Sequence, residues 1–367
     1  MIKKEVVVIG GGPSGLSAAV EAAKKGAEVL VVDENLRAGG QLFKQIHKFF
    51  GSSAHQAGVR GIDIASELLE EARECGVEVW LNSAVVGLFK EKKVTIKKTL
   101  ADNSEKLEII QAKKIVIAAG ASENAVRFKG WTLPGVIGAG AAQTMINVNR
   151  VLPGKRILMI GSGNVGLIVS YQLLQAGAEV VGVVEAAPQI GGYGVHAAKI
   201  RRAGIPIYTS HTILEAKGVK GVEEAVICEV NDKWQPIKGT EKVFKVDTIT
   251  IAAGLKPLIE LAMMHDCKCS FIPQLGGWVP LHDENMESTN PGIYLVGDVT
   301  GVEEANTALE EGRLAGTAIA EALKYISLED AGKLKKEIWH RLNELRMGPF
   351  GEARMLAKNN ILTACKI

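Results

Sequence analysis

The chain predicts a duplicated α/β fold, and three observations carry that expectation. Two glycine-rich segments of one design stand 151 residues apart: VVVIGGGPSG, with Gly10, Gly12 and Gly15, and RILMIGSGNVG, with Gly161, Gly163 and Gly166. Each follows an apolar strand-like run and precedes a helix-like run, the setting in which G-x-G-x-x-G marks a dinucleotide site. Two further runs echo each other, IVIAAG ending in Ala119-Gly120 and ITIAAG ending in Ala253-Gly254. That echo extends the duplication from a loop to a whole domain. The expected class is α/β, with two Rossmann-like dinucleotide-binding domains, one inserted in the other, each with an accessory β-meander.

Residues 5–10 read as a buried parallel strand, 14–25 as the first helix and 27–33 as the second strand, the minimal βαβ unit. An acidic residue ends the second strand. Distance from Gly26 favours Asp33, whereas a gapless overlay of the two repeats sets Glu34 opposite Glu185. Residues 35–61 are loop-like and contain GGQ at 39–41. A helix is expected over 62–75, then short strands near 77–81, 84–90, 93–99 and 106–111, before KKIVIAAGA (113–121) returns to a buried strand. Pro134-Gly135 signals a turn, and a helix near 139–150 leads to the second βαβ unit at 155–185. After DTITIAAGL, the run GIYLVGDVTG forms a strand ending at Gly297-Asp298, followed by a helix from about Val302, including Ala305, to about 324. The domains are therefore expected at 1–122 with 256–330, at 123–255, and as a helical tail at 331–367.

Composition narrows the function classes. A net charge of +2 gives no case for a nucleic-acid partner. No apolar run reaches about 20 residues, so no membrane span is expected. The first strand begins almost at once, leaving no room for a signal peptide. Five scattered cysteines suggest a reducing compartment, and the expected location is cytoplasmic.

The glycine pattern has a physical purpose. The first glycine allows a tight strand-to-helix turn, the second lets the backbone approach a pyrophosphate, and the third lets helix and strand pack closely. The pyrophosphate then meets unpaired N–H groups at the positive helix end. In the first copy Pro13 and Ser14 complete the turn, and in the second Asn164 and Val165 do. A carboxylate at Glu185 would accept from a 2′-hydroxyl and repel a 2′-phosphate, favouring NAD(H) over NADP(H) unless Arg201 and Arg202 reach the ribose. An adenine nucleotide such as ATP is the alternative occupant there.

In their order, GxGxxG, GGQ, AAG, GxGxxG, AAG and GD resemble the two-dinucleotide-domain flavoprotein reductases, the pyridine nucleotide–disulfide oxidoreductases. The runs GWTLPGVIGAGAAQ, VVEAAPQIGG, GGWVP and PGIYLVGDVTGVEEA more narrowly resemble the α or A subunits of multi-subunit dehydrogenases. Dye-linked L-proline dehydrogenase, opine oxidase, sarcosine oxidase and the B subunit of hydrogen cyanide synthase are of this kind. The resemblance implies FAD at the first motif, with Gly40 and Gln41 along the phosphates, Asp298 on the ribityl chain or pyrophosphate, and the following helix aimed at the flavin. It also implies a flavoprotein dehydrogenase partner, a small iron–sulfur protein and an oligomeric assembly. Two departures stand out. The chain has no CxxC, which argues against disulfide reduction, and its tail carries only Cys365, too few for a four-cysteine cluster.

Other candidates have plainer readings. Cys267 and Cys269 suit small buried thiols better than a metal site, because no second ligand pair lies near; no metal is expected. His47 and His55 are loop histidines or a proton relay. Phe49-Phe50 packs a core or a partner surface. Leu334, Ile338, Leu342 and Leu345 define one apolar helix face in the tail, which docks on its own domain or on a partner.

Overall fold

A computed structural model describes residues 1–348 and 351–365. The chain forms two compact units, Met1–Ser122 with Lys256–Ile367, and Glu123–Leu255.

The first unit is built on a mixed sheet. Strands β1 (Ile2–Ile9) and β2 (Val29–Val32) flank helix α1 (Pro13–Lys24) in the chain. Helix α2 (Gly61–Glu74) leads to β3 (Glu78–Trp80), and β4 (Ser83–Phe89), β5 (Lys93–Thr99) and β6 (Glu105–Ile117) follow. The sheet order is β3-β2-β1-β6-β5-β4. The strands read as unbroken apolar runs because both faces of a parallel sheet are covered. Val6 and Val8 enter one core, under α1, α2 and the helix Ala305–Ala322. Val7 and Ile9 enter the other, with Leu88, Ile96 and Val299.

The sequence predicts two strands, near 106–111 and 113–121, where the structure has one. β6 runs 13 residues. Its first half pairs antiparallel with β5; its second half pairs parallel with β1 and with the strand Ile293–Leu295. No turn residue interrupts EKLEIIQAKKIVI, so the chain passes from meander to parallel sheet without a break. The expected helix start near Val302 also moves. A tight turn occupies Gly297–Thr300, and the helix begins at Ala305.

That helix lies close against α1 because small residues face each other. A Cβ at Gly312 would strike the Ser14 carbonyl, and one at Gly316 would sit 2.6 Å from the Ala18 oxygen. The tail belongs to this unit. Helix Leu328–Leu345 buries Ile338 and Leu342, and Ile338 joins the α1 core. Helix Glu352–Cys365 packs Ala357 and Ile361 on Ile272, Leu275 and Val279. The apolar tail face thus docks on its own unit; Pro349 and Phe350 of the same segment lie outside the described residues. Phe49 is core and Phe50 is exposed, so the predicted aromatic pair divides.

In the second unit five parallel strands order as 207–208, 179–184, 156–160, 248–251 and 136–138, with helix Asn164–Gln175 after the second glycine motif. An antiparallel sheet of 211–217, 224–229 and 242–245 accompanies them. The helix expected near 139–150 is α-helical over Ala139–Thr144 and continues as a wider π turn over Met145–Asn149.

Candidate functional site

The two glycine motifs fold into matching cradles, one in each unit. Gly10 and Gly161 take φ of +99° and +105°, and a Cβ on either would run into the carbonyl of Ala118 or Ala252. A Cβ on Gly15 or Gly166 would strike the carbonyl oxygen of Gly10 or Gly161. Gly12 and Gly163 differ: nothing lies within 4 Å of a Cβ there. Each is the N-cap of its helix, supplies no side-chain cap, and has no acidic residue in the following turn. By contrast, helix Leu328–Leu345 is capped in the ordinary way, with the Ser327 hydroxyl accepting from the Asp330 N–H. The first turns of the two cradle helices are therefore left without an N-cap side chain at their positive ends, beside a floor with no side chain.

The end of each second strand closes the cradle. Gly10 N donates to Val32 O at 2.8 Å, and Gly161 N to Val184 O at 2.7 Å. The next residues are Asp33 and Glu185, which bind alike. Asp33 Oδ2 accepts from Gly11 N (2.7 Å) and Oδ1 from Asn35 N (2.8 Å). Glu185 Oε2 accepts from Ser162 N (3.0 Å) and Ser162 Oγ (2.6 Å), and Oε1 from Ala187 N (3.0 Å). Asp33 is thus the counterpart of Glu185, and Glu34 is exposed. The gapless overlay misaligned them because the strand Glu179–Val184 carries a bulge, its register shifting between Val180 and Gly182.

A second glycine pair leans on each motif. Gly39 N donates to Gly11 O (2.6 Å), and a Cβ on Gly40 would sit 2.8 Å from the Gly12 Cα. In the second unit Gly192 N donates to Ser162 O (2.9 Å), and Tyr193 N to Asn164 Oδ1 (2.8 Å). This correspondence between GGQ and GGY escaped the sequence comparison. Gln41 and Val165 are exposed at the cradle margins. Ala119 and Gly120 are half-buried at the end of β6, while Ala253 and Gly254 are exposed.

The Gly297–Thr300 turn meets the first cradle from the other side of the sheet order. A Cβ on Gly297 would press on Ser14 Oγ, and Ser14 is buried. Asp298 follows, half-buried, with its Oδ1 3.4 Å from the Glu303 N–H. Burial pushes its carboxyl up to about 6 against the pull of that N–H and of Lys358. Ala305 opens the helix, and the buried Asn306 leaves Oδ1 without a hydrogen bond while its Nδ2 donates to Phe50 O.

Residues that sequence reasoning missed surround this turn. Glu311 Oε2 accepts from Gly297 N (2.9 Å) and from Thr300 Oγ1 (3.2 Å). Burial would raise the Glu311 carboxyl, but Lys358 and Arg346 bring it down to about 2. The available signal was the adjacent pair Glu310-Glu311 in the middle of a helix rich in alanine, glycine, leucine and isoleucine, since buried carboxylates require partners. Glu310 is bound by Arg313 and Arg341. His55 is buried beside it, with Nδ1 3.0 Å from Ser52 Oγ and Nε2 3.6 Å from Glu310, and burial lowers its pKa. His47 stacks on Phe49 at 5.9 Å. Cys267 donates to Ser288 Oγ and Cys269 to the Cys267 carbonyl. Among the described residues no helix is long and apolar enough to cross a membrane.

Known proteins share this fold. The HcnB component of hydrogen cyanide synthase from Pseudomonas aeruginosa is 26% identical, over 95% of this chain and 77% of its own. The A subunit of opine oxidase from Agrobacterium tumefaciens is 27% identical, over 89% and 67%. The alpha subunit of sarcosine oxidase from a Corynebacterium is 26% identical over 88% of this chain, which spans only 33% of that relative. The fold is similar to L-proline dehydrogenase of P. horikoshii, with a TM-score of 0.69 at 22% identity, covering 94% of this chain and 59% of that one. It is equally similar to thioredoxin reductase of T. acidophilum, with a TM-score of 0.70 at 20% identity, covering 88% and 100%. The family model for the pyridine nucleotide-disulphide oxidoreductases matches residues 4–312, and the chain belongs to that family of oxidoreductases.

Proposed function

We propose that the first unit holds FAD and that the chain passes hydride or electrons between this flavin and either NAD(H) or a partner flavoprotein. In this reading it is the α-type subunit of a multi-subunit dehydrogenase for amino acids or amines, of the proline, sarcosine or opine type. One observation carries it: two uncapped helix ends, each over a side-chain-free glycine and each closed by its own carboxylate.

The residues fit a dinucleotide. The space over Gly12 suits a pyrophosphate, whose oxygens would take N–H groups of the α1 first turn. Asp33 spends three acceptor positions on Gly11 and Asn35, which leaves its carboxylate one for a ribose hydroxyl. Asp298 would receive a ribityl hydroxyl, and Gly40 keeps the cradle wall thin. When bound, FAD supplies the hydride and electron chemistry. The chain binds and orients it, and the helix from Ala305 aims its positive end toward the same turn. No side-chain base is required of the chain for direct hydride transfer.

At the second site we propose NAD(H), because Glu185 keeps an acceptor for a 2′-hydroxyl and the next two residues, Ala186 and Ala187, offer a 2′-phosphate no cation. Arg201 and Arg202 are exposed in the last turn of their helix. An adenine nucleotide such as ATP, held in a scaffold role, is the second reading of this site. A stand-alone NADH:acceptor reductase is the remaining alternative. The subunit reading is supported by relatives whose names describe subunits, and it brings with it a flavoprotein dehydrogenase and a small iron–sulfur protein as partners in a cytoplasmic oligomer.

The test is the visible spectrum of the purified chain, then anaerobic NADH. A yellow chain that bleaches with stoichiometric NADH supports transfer between two sites of one polypeptide. A yellow chain that ignores NADH supports feeding by a partner. A chain that stays colourless after FAD is added refutes the first-site assignment.

A further inference from the structure

One buried charged cluster has no part in the proposed chemistry. It is built by the last two helices under the turn that carries Asp298. Glu311 holds that turn with Oε2, through Gly297 N and Thr300 Oγ1. Its Oε1 accepts from Arg346 Nη2 (2.7 Å) and Lys358 Nζ (2.8 Å). Lys358 reaches the turn directly as well, donating to Thr300 Oγ1 at 2.6 Å, and the one Thr300 hydroxyl proton lies between Glu311 Oε2 (3.2 Å) and Gly297 O (2.9 Å). Arg346 forks onto Glu303 at 2.9 and 2.5 Å, and the Glu303 backbone N–H faces Asp298. The side chains of Glu303, Glu311, Arg346 and Lys358 are each 5% exposed or less.

Lys358 lies on the last helix and Arg346 caps the end of the helix before it, while Glu303 follows the turn and Glu311 lies on the helix from Ala305. Buried charges of this kind hold one geometry, because removing one partner strands the other in a dry site. We propose that the C-terminal helices are a clasp on the flavin-cradling turn, with Lys358 and Arg346 as positioning residues that set how tightly the chain retains FAD. The inference rests on the FAD reading above. Lys358 also lies close enough to oppose the upward push on the Asp298 carboxyl, so its removal would weaken the acceptor as well as loosen the turn. The coupling is reciprocal: if the clasp tightens FAD, FAD tightens the clasp.

The experiment uses the full chain and free FAD. Flavin fluorescence quenching gives Kd for the wild type, Lys358→Met, the double variant Lys358→Met/Glu311→Gln, and Lys333→Met, an exposed lysine paired with Glu329. Amide exchange of residues 352–365 is followed with and without FAD. Lys358→Met is expected to raise the FAD Kd about 5- to 150-fold, the range of typical site-to-site coupling. The double variant should recover part of that, since a neutral Gln keeps an oxygen for Gly297 N. Lys333→Met should match the wild type, and FAD should slow exchange in the last helix. If Lys358→Met binds FAD like the wild type, the clasp is refuted even where the variant melts earlier. If that variant does not fold, the wild-type exchange decides alone, and exchange indifferent to FAD refutes the clasp. A wild-type chain that binds no FAD refutes the first-site reading itself, and the clasp with it.

Discussion

The second and third glycines of the first motif do different jobs, and substituting alanine at each should separate them. At Gly15 a Cβ would enter the carbonyl oxygen of Gly10, backbone against backbone, with no flexible end to move aside. Overpacking of that kind typically costs about 1–3 kcal/mol. At Gly12 nothing lies within 4 Å, and φ is −76°, open to any residue. Two small effects nearly cancel there: alanine lowers unfolded-state entropy by about 0.4–1 kcal/mol and is a poorer N-cap than glycine by a similar amount. The flavin-free Gly12→Ala chain should therefore melt with the wild type. Its methyl, however, stands where the pyrophosphate would meet the helix N–H groups. Losing two charge-assisted hydrogen bonds at about 1.5–3 kcal/mol each gives about 3–6 kcal/mol, or roughly 10²- to 10⁴-fold in Kd. Thermal melting of the flavin-free chains and FAD titration by fluorescence read the two quantities separately. Wild-type FAD affinity in Gly12→Ala, or melting lowered as far as in Gly15→Ala, would refute the assignment of the open glycine to a phosphate.

Three further outcomes follow from the same geometry. Asp33→Ala strands the Gly11 and Asn35 N–H groups and should destabilise the chain by about 1–3 kcal/mol, while Glu34→Ala should stay within about 0.5 kcal/mol; urea unfolding of both variants decides which carboxylate ends the strand. Glu185→Ala should weaken NADH binding at the second site roughly tenfold or more, for about 1.5–3 kcal/mol of lost charge-assisted hydrogen bonding, and leave FAD titration unchanged. Burial raises Asp298 from an ordinary 3.8 to about 6, so ionising it in the fold has a cost that is absent near pH 4 and complete above pH 6. That gap corresponds to about 3 kcal/mol at most. Asp298→Asn should accordingly stabilise the flavin-free chain at pH 7 and not at pH 4, and an equal gain at both pH values would refute the burial argument.

Much of this was legible in the residues, for identifiable reasons. Gly10, Gly15 and their counterparts could be read because backbone collision leaves no other residue possible there. The duplication could be read because each copy repeats the same local pattern of apolar run, glycines and acid. What escaped depends on pairing between distant segments. The bulge at Val180–Gly182 is set by the neighbouring strand, so a gapless overlay puts Glu34 opposite Glu185 even though distance from Gly26 already favours Asp33. β6 looks like two strands because its partners change from β5 to β1 midway, although its own sequence runs on. Lys358 and Arg346 meet Glu311 across 47 and 35 residues of chain, and nothing local marks a buried lysine in the last helix, where apolar and polar residues are not sorted to opposite faces.

The position of the strand Ile293–Leu295 bears on how the chain is made. It pairs with Ile115–Ile117 of β6 from beyond the whole inserted unit. As the chain leaves the ribosome, the first unit therefore waits with an apolar β6 edge unpaired while the entire second unit, Glu123–Leu255, is synthesised and can complete its own sheet. Synthesis at about 5–20 residues per second leaves that edge open for many seconds. An unpaired apolar edge is a template for wrong partners. Pausing, truncation or slow folding of the insert would thus be felt as aggregation of the first unit, even though the insert contributes no strand to its sheet.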